Sequence, residues 1–183
     1  MKQIKKISIP IIGILLFVFV DQLTKILSFN NLYGGKDKII IDGILRFHYL
    51  ENRGAAFGIM QGGRWIFLIL TILFTLVLTY EYFKIPKDKK YNFYRLMTIF
   101  LVSGAIGNAI DRVLFGYVRD FIYFELINFP IFNIADCYVT VSLFLLIIYA
   151  LLPQRNKEDY VFFNGIFEFF DKKKIIKKDD KKE

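Results

Sequence analysis

The sequence predicts a mainly α membrane protein with four transmembrane helices and a small extracytoplasmic β-sheet. Hydrophobic residues make up 55% of the 183 residues and Phe occurs 21 times, whereas soluble domains are usually about 45–50% apolar. This composition excludes an ordinary soluble domain. Four apolar runs approach the roughly 20 residues that cross a bilayer. They are Ile7–Leu27, Trp65–Phe83, Leu96–Phe115 and Ile131–Leu152.

The first run has the charge pattern of a secretory signal peptide, because Lys2, Lys5 and Lys6 precede it. No small-x-small cleavage site follows it, and Asp21 and Lys25 interrupt its end. We therefore expect this run to remain in the protein as its first membrane helix.

Short strands are predicted in the segment 36–62, between the first two runs. Its apolar stretches are broken at Asp42 and Gly43 and again near Gly54. The stretch "LRFHYL" alternates apolar and polar residues, as a half-exposed strand does. We expect a small sheet that lies on the outer membrane surface.

Basic residues determine the predicted orientation. The net charge is +8, with 3 Lys or Arg before the first run, 5 in residues 84–95 and 9 after Leu152. The positive-inside rule places both termini and residues 84–95 in the cytoplasm, so residues 28–64 and 113–131 face the outside. Topology and anionic lipid explain these basic segments better than nucleic acid does.

The chain is expected to divide into a membrane domain, residues 1–157, and a cytoplasmic tail, residues 158–183. The tail begins with the aromatic stretch "DYVFFNGIFEFF" and ends with the Lys-rich stretch "DKKKIIKKDDKKE". It could lie at the membrane interface, with aromatic rings among the headgroups and lysines on anionic lipid. It could equally be a solvated, extended charge run.

Three of the four runs carry polar residues close to their predicted outer ends, which places these residues at one depth. Ionisable groups within membrane segments usually face a bundle interior or a cavity and serve a function. The first run contributes Asp21 and Lys25, the third Asn108, Asp111 and Arg112, and the fourth Asn133 and Asp136.

Structural roles could explain most of these polar residues. Asn133 and Asp136 have the spacing of a helix N-cap and its third helical residue, where the helix dipole stabilises a carboxylate. The other acids have basic neighbours with which they could form ion pairs, namely Asp111 with Arg112 and Asp21 with Lys25.

Asp120 lacks such an explanation, because it lies in "YVRDFIYF", predicted as a short apolar outer loop without a helix end. A site of two acids could pair Asp136 with Asp120 or, equally well on these grounds, with Asp111. Two close carboxylates share a proton. One then acts as a base on water while the other, protonated, polarises a carbonyl, so neither a metal nor a covalent intermediate is needed. The G-x-S-x-G and H-E-x-x-H motifs of serine and zinc hydrolases are missing.

Two other classes of protein are open on this evidence, a small proton-coupled membrane transporter and a non-catalytic scaffold. A proton relay would place acids at several depths. The second run carries only Glu81, near its predicted inner end, and the remaining acids cluster at the outer face. A scaffold gives an acid pair at the outer face no purpose. The residues therefore favour a hydrolase.

Five ordered motifs give the chain a specific resemblance to a known family. They are "DQLTK" (21–25), "NRGAAFG" (52–58), "GNAIDR" (107–112), "VRDF" (118–121) and "FNIADCYVTV" (132–141). Across about residues 10–152 the chain resembles the lipoprotein signal peptidases, or signal peptidase II. The resemblance implies a bacterial four-helix membrane aspartyl peptidase with a small extracytoplasmic β-cradle. Such enzymes remove signal peptides from prolipoproteins just before a diacylglyceryl-modified cysteine.

Carried onto matching positions, the resemblance makes Asp120 and Asp136 the catalytic pair, and Arg112 beside Asp111 favours Asp111 as an ionised structural partner. It implies no cofactor or metal, lipidated prolipoproteins and membrane lipids as partners, a monomer, and a site near the outer face of the cytoplasmic membrane. The residues that it assigns to support of the site are Asn52, Gly54, Asn108, Asp111, Arg112 and Asn133, with Asp21 and Lys25 bracing the structure.

A cysteine introduced by Asp88→Cys should resist a membrane-impermeant thiol reagent in intact cells, because residues 84–95 are predicted to be cytoplasmic. A second cysteine, Lys36→Cys, lies in the predicted outer segment and should react. The unsubstituted protein, which contains Cys137, gives the background. Labelling at position 88 from outside would reverse the predicted orientation.

Overall fold

The computed structural model describes residues 2–54 and 63–151, and over these residues the chain forms four α-helices and three β-strands. The remainder of the predicted outer segment beyond Gly54, and the tail 158–183, lie outside the described residues. The elements are α1 (Lys2–Leu32), β1 (Lys38–Ile41), β2 (Leu45–Asn52), α2 (Arg64–Lys84), α3 (Asn92–Leu114), β3 (Val118–Phe124) and α4 (Ile134–Leu151).

Each predicted apolar run lies largely within one helix. Three described segments are long and apolar enough to cross a membrane, Ser8–Leu32, Arg64–Lys84 and Lys89–Leu114. The apolar segment of α4, Ile134–Tyr149, is shorter than these three. It begins three residues later than the apolar run, since residues 131–133 lead into the helix as extended chain. A fourth membrane crossing therefore remains a prediction.

The three strands form one antiparallel sheet in the order β1-β2-β3. The strands predicted within 36–62 are confirmed, with the turn at Asp42 and Gly43. The prediction of a loop around Asp120 is wrong, because Asp120 lies in β3 and pairs with Leu50 of β2. The side chains of Val118 to Phe121 are all buried, so both faces of this strand are covered. Its sequence consequently lacks the apolar–polar alternation by which a half-exposed strand is detected.

Close packing of helices fixes the geometry of the bundle at its sheet end. A Cβ atom on Gly104 of α3 would meet the carbonyl oxygen of Ala135 in α4, and one on Gly107 would lie 2.5 Å from Oδ2 of Asp21 in α1. Small residues allow membrane helices to approach this closely. The main apolar core lies toward the other end, around Leu78, Tyr94, Met97, Leu101 and Leu146.

A short backbone link brings α4 next to β3. Ile122 and Phe132 exchange backbone hydrogen bonds, of 2.8 Å from Ile122 N–H and 3.0 Å from Phe132 N–H. Phe132 immediately precedes Asn133, which caps α4. The first turn of α4 therefore lies beside the strand that carries Asp120.

Gly104→Ala should lower the melting temperature in detergent, because the added methyl group meets the Ala135 carbonyl and Val139, whose Cγ2 would be 2.7 Å away. Gly13→Ala is the matched control. Its added methyl would meet only the side chain of Ile99, at 3.2 Å, while both changes gain about 1 kcal/mol of helix propensity. A Gly104→Ala protein that melts as high as the Gly13→Ala protein would contradict the tight α3–α4 contact.

Candidate active site

A cavity of about 450 Å³ opens at the end of the bundle that carries the sheet. Asp120 of β3 and Asp136 of α4 both line it. Among the other predicted site residues, Asn52, Gly54, Asn108 and Arg112 also line it. The rest of the wall is largely apolar. It is formed by Val118, Phe129, Pro130, Ile131, Phe132, Cys137, Thr140 and Val141.

Asp136 is held by the helix that it begins. Asp136 Oδ2 accepts a hydrogen bond of 3.1 Å from Asn133 N–H, and Asn133 Oδ1 accepts one of 3.1 Å from Asp136 N–H. This reciprocal capping places Asp136 at the positive end of the α4 dipole. The other carboxylate oxygen, Oδ1, accepts a hydrogen bond of 2.7 Å from Asn108 Nδ2. The predicted N-cap is thus present, and its two residues also belong to the site.

Asp120 is almost completely buried, with 1% of its surface exposed. Its Oδ2 accepts a hydrogen bond of 2.8 Å from Asn52 Nδ2, and its Oδ1 accepts one of 2.6 Å from Asn133 Nδ2. Burial and, second, the negative charge of Asp136 together raise the pKa of Asp120 to about 7. Asp136 is therefore close enough to affect the charge of Asp120.

Three asparagines point their amide NH₂ groups at the two acids, and each is held in this orientation by a group that can only donate. The Oδ1 atom of Asn52 accepts from Gly54 N–H at 3.0 Å. That of Asn108 accepts from Lys25 Nζ at 2.9 Å. That of Asn133 accepts from the backbone N–H of Asp136. Because an amide has its oxygen and nitrogen on opposite sides, each NH₂ must face a carboxylate.

Arg112 brings a positive charge to the cavity. Its Nη2 lies 3.4 Å from the carbonyl oxygen of Gly54, and its guanidinium lies 4.8 Å above the ring of Phe67. The sequence-based pairing of Asp111 with Arg112 is wrong. Asp111 instead pairs with Arg119, whose Nη2 lies 2.8 Å from Asp111 Oδ1. Adjacent residues on a helix point about 100° apart, so Asp111 and Arg112 face different neighbours.

A buried cluster of two positive and two negative side chains lies next to the cavity, and we call it the ion cluster. Lys25 Nζ lies 3.0 Å from Asp21 Oδ2 and 3.6 Å from Asp111 Oδ2, and Arg119 completes the cluster. The predicted Asp21–Lys25 pair is therefore present. Asp21, Lys25 and Asp111 each have 0% exposure, a placement tolerated because two positive charges face two negative ones.

Sequence reasoning missed two members of this region, Arg119 and Gln22. Gln22 Nε2 donates to Asp21, to Asp111 and to the carbonyl of Gly107 at 3.0–3.2 Å, and its Oε1 accepts from Arg119 at 2.9 Å. Both residues stand inside the motifs "DQLTK" and "VRDF". A strand assignment for "VRDF" would have indicated Arg119, since it alternates with Asp120.

The ion cluster also caps α4 from a distant part of the chain. Asp21 Oδ1 in α1 accepts a hydrogen bond of 3.0 Å from the backbone N–H of Ala135. With Asn133 bound to Asp136 N–H, two of the free N–H groups in the first turn of α4 are satisfied. The start of α4, and with it Asp136, is thereby tied to α1.

The two acid pairs that the sequence left open differ in their surroundings. Asp111 does not line the cavity, and its carboxylate is occupied by Lys25, Arg119 and Gln22. Asp120 and Asp136 line one cavity and each accept two hydrogen bonds. The geometry therefore favours Asp120 over Asp111 as the partner of Asp136.

The chain is similar to known proteins along most of its length. Residues 13–152 match the family described as Signal peptidase (SPase) II. The chain is 42% identical over 141 residues to the lipoprotein signal peptidase of Clostridioides difficile strain 630, covering 77% of this chain and 93% of that protein. It is 37% identical over 139 residues to that of Streptococcus pyogenes serotype M5 strain Manfredo, covering 75% and 90% respectively.

Solved structures give the same answer. A bacterial membrane enzyme structure at 2.3 Å resolution is 37% identical, superposes with a TM-score of 0.72 and covers 82% of this chain and 92% of its own. A second, at 1.9 Å, is 36% identical with a TM-score of 0.69, covering 81% and 96%. The apolar helices fit a bacterial membrane protein, and the family decides for a peptidase over a transporter or a scaffold. The chain belongs to the signal peptidase II family, whose members process lipoproteins.

Proposed function

We propose that the protein is an intramembrane aspartyl endopeptidase that cuts diacylglyceryl-modified prolipoproteins on the N-terminal side of the lipidated cysteine, with Asp120 and Asp136 as its catalytic pair. The observation that carries this proposal is that both acids line one cavity and are held there by oriented amide donors. A pair of interacting carboxylates in a mostly apolar cavity has the properties of an acid–base dyad.

The environments of the two acids suggest which of them carries the proton. Asp136 stands in the first turn of α4 and accepts a backbone N–H there. Asp120 lies in a strand without a helix end, and its pKa is about 7 because of burial and of the charge on Asp136. Asp120 therefore retains a proton up to about pH 7, and we assign to it the role of the acid of the pair.

This distribution assigns a role to each acid during hydrolysis. Asp136 takes a proton from a water molecule as the water attacks the scissile carbonyl carbon. Asp120 donates its proton to the carbonyl oxygen, which gives a neutral tetrahedral diol. Collapse of the diol returns a proton from it to Asp120, and Asp136 gives its proton to the leaving amine. The two acids regain their original states after each turnover.

The cavity wall suits the substrate class proposed for it. Phe129, Ile131 and Val141 offer apolar surface next to the acids, where a signal helix and acyl chains arriving through lipid would pack. Arg112 and the carbonyl of Gly54 are polar groups within reach of a peptide backbone. The outer segment 36–62, which we expect to close over the bound peptide, is described only as far as Gly54.

The remaining proposals concern the surroundings of the enzyme. We place the site near the outer face of the cytoplasmic membrane, with both termini inside, because of the basic residues in 84–95 and after Leu152. The enzyme is proposed to work as a monomer in contact with membrane lipid, since one chain supplies both acids and all three asparagines.

Asp120→Asn and Asp136→Asn should each fold and be nearly inactive, because an amide cannot cycle between acid and base. General acid–base catalysis is worth about 10²–10⁴-fold for each group, and paired groups are strongly non-additive. The double variant should therefore be little worse than either single one. Cleavage of a purified, lipidated prolipoprotein in detergent measures this, with melting temperature as the check on folding.

Asp111→Asn separates this pair from the other candidate. It should lower the melting temperature, because Lys25 and Arg119 would lose the carboxylate between them. Its folded fraction should still cleave substrate measurably. A normally active Asp120→Asn together with a well-folded but dead Asp111→Asn would assign catalysis to Asp111 and Asp136.

The raised pKa of Asp120 also predicts a pH dependence of stability. Its pKa is about 7 in the folded protein against an ordinary 3.8, so between these values the unfolded chain has released a proton that the folded protein retains. This contribution favours folding at low pH and is lost as pH rises toward 7. The melting temperature of Asp120→Asn minus that of the unsubstituted protein should therefore increase between about pH 5 and about pH 8. A constant difference would contradict the raised pKa.

A further inference from the structure

Arg119 stands next to Asp120 in the chain but faces away from the cavity. Side chains alternate along a strand, and Val118 and Asp120 line the cavity whereas Arg119 does not. On its own side of β3, Arg119 is 6% exposed and its guanidinium lies 4.7 Å from the Phe115 ring. A charged side chain that is buried there needs a partner of opposite charge, because burial of an unpaired charge is costly.

Three hydrogen bonds join Arg119 to the carboxylate of Asp111. Nε donates to Oδ2 at 3.1 Å and Nη2 donates to Oδ1 at 2.8 Å, so the two planar groups meet in a fork. The backbone N–H of Arg119 donates to Oδ2 at 2.9 Å. Asp111 lies on α3, so this contact fixes both the side chain and the backbone of β3 against a helix.

Gln22 of α1 supports the same fork from a third element. Its Oε1 accepts from Arg119 Nη2 at 2.9 Å, while its Nε2 donates to Asp111 Oδ1 at 3.2 Å. Gln22 therefore contacts both the guanidinium and the carboxylate. Planar two-point contacts of this kind confer directional precision that a lysine ammonium cannot supply.

We propose that Arg119 is a positioning residue for hydrolysis, because its fork with Asp111 locks β3 in the place where Asp120 meets Asp136. The proposal rests on Asp120 being one of the catalytic acids. β3 is held on one edge by β2 and on the other by Phe132, but these ladders do not fix its distance from α3. The Arg119–Asp111 fork supplies that distance, one residue away from the reacting carboxyl group.

The test is Arg119→Lys, which keeps the charge next to Asp111 and removes the fork. It should lower kcat about tenfold or more with KM changed by less than about threefold, because a misplaced catalytic group slows the chemical step while the cavity wall is retained. Activity is measured on the folded fraction with the lipidated substrate, well below the melting temperature. A purely structural Arg119 would change melting temperature and leave kcat per folded molecule unaltered.

Arg46→Lys is the matched control, since Arg46 of β2 also pairs with an acid, its Nη2 lying 2.7 Å from Glu125 Oε1. This pair lies at the far end of the same sheet, and kcat should stay within about twofold. Gln22→Met is the second variant, used if Arg119→Lys does not fold. It removes the bond from Arg119 to Gln22 Oε1, together with the bonds from Nε2 to Asp21, Asp111 and Gly107, and leaves the Arg119–Asp111 ion pair. It should lower kcat by roughly two- to fivefold at an unchanged KM.

The two proposals fail in different ways. If Asp120→Asn retains normal turnover, the catalytic role of Asp120 is wrong and the positioning role goes with it. If Asp120→Asn is inactive while folded Arg119→Lys keeps kcat within about twofold, the catalytic proposal stands and the positioning role is overturned. Where Arg119→Lys is unfolded, an unchanged kcat in Gln22→Met overturns it instead.

Discussion

The placement of both proposed catalytic acids depends on the ion cluster at the end of the bundle. Asp21, Lys25, Asp111 and Arg119 carry balanced charges, which makes their burial tolerable. They come from α1, α3 and β3, so the requirement that each charge be paired holds these three elements together. From this cluster one hydrogen bond runs to the N-terminus of α4 through Ala135. Any loosening of the cluster therefore moves the surroundings of both acids.

The side-chain amides of Asn52, Asn108 and Asn133 are oriented by groups that can only donate hydrogen bonds. An asparagine beside a carboxylate could in principle turn either its oxygen or its nitrogen toward it. Lys25 removes this choice for Asn108, and backbone N–H groups remove it for Asn52 and Asn133. Each acid is consequently surrounded by fixed donors before a substrate arrives.

The same contacts give the two acids unequal environments. One is part of a helix N-terminus, whose dipole stabilises a negative charge, and the other is buried in a strand next to Asn52 and Asn133. Burial near a second negative charge raises the pKa of Asp120 to about 7. This asymmetry supports the proposed roles, with Asp120 as the acid and Asp136 as the base, since peptide hydrolysis requires both.

The sequence by itself determined the features that depend on neighbours along the chain. Apolar runs gave the helices, alternation gave β2, and the Asn133–Asp136 spacing gave the cap of α4. The sequence also predicted which polar residues lie around the cavity, in part through the resemblance to a family. Only the tertiary structure decided that Asp111 pairs with Arg119, that β3 is a strand and that Asp120 rather than Asp111 shares the cavity with Asp136. The physical reason is that a buried charge selects its partner by proximity in space, and a strand covered on both faces leaves no periodic pattern in its sequence.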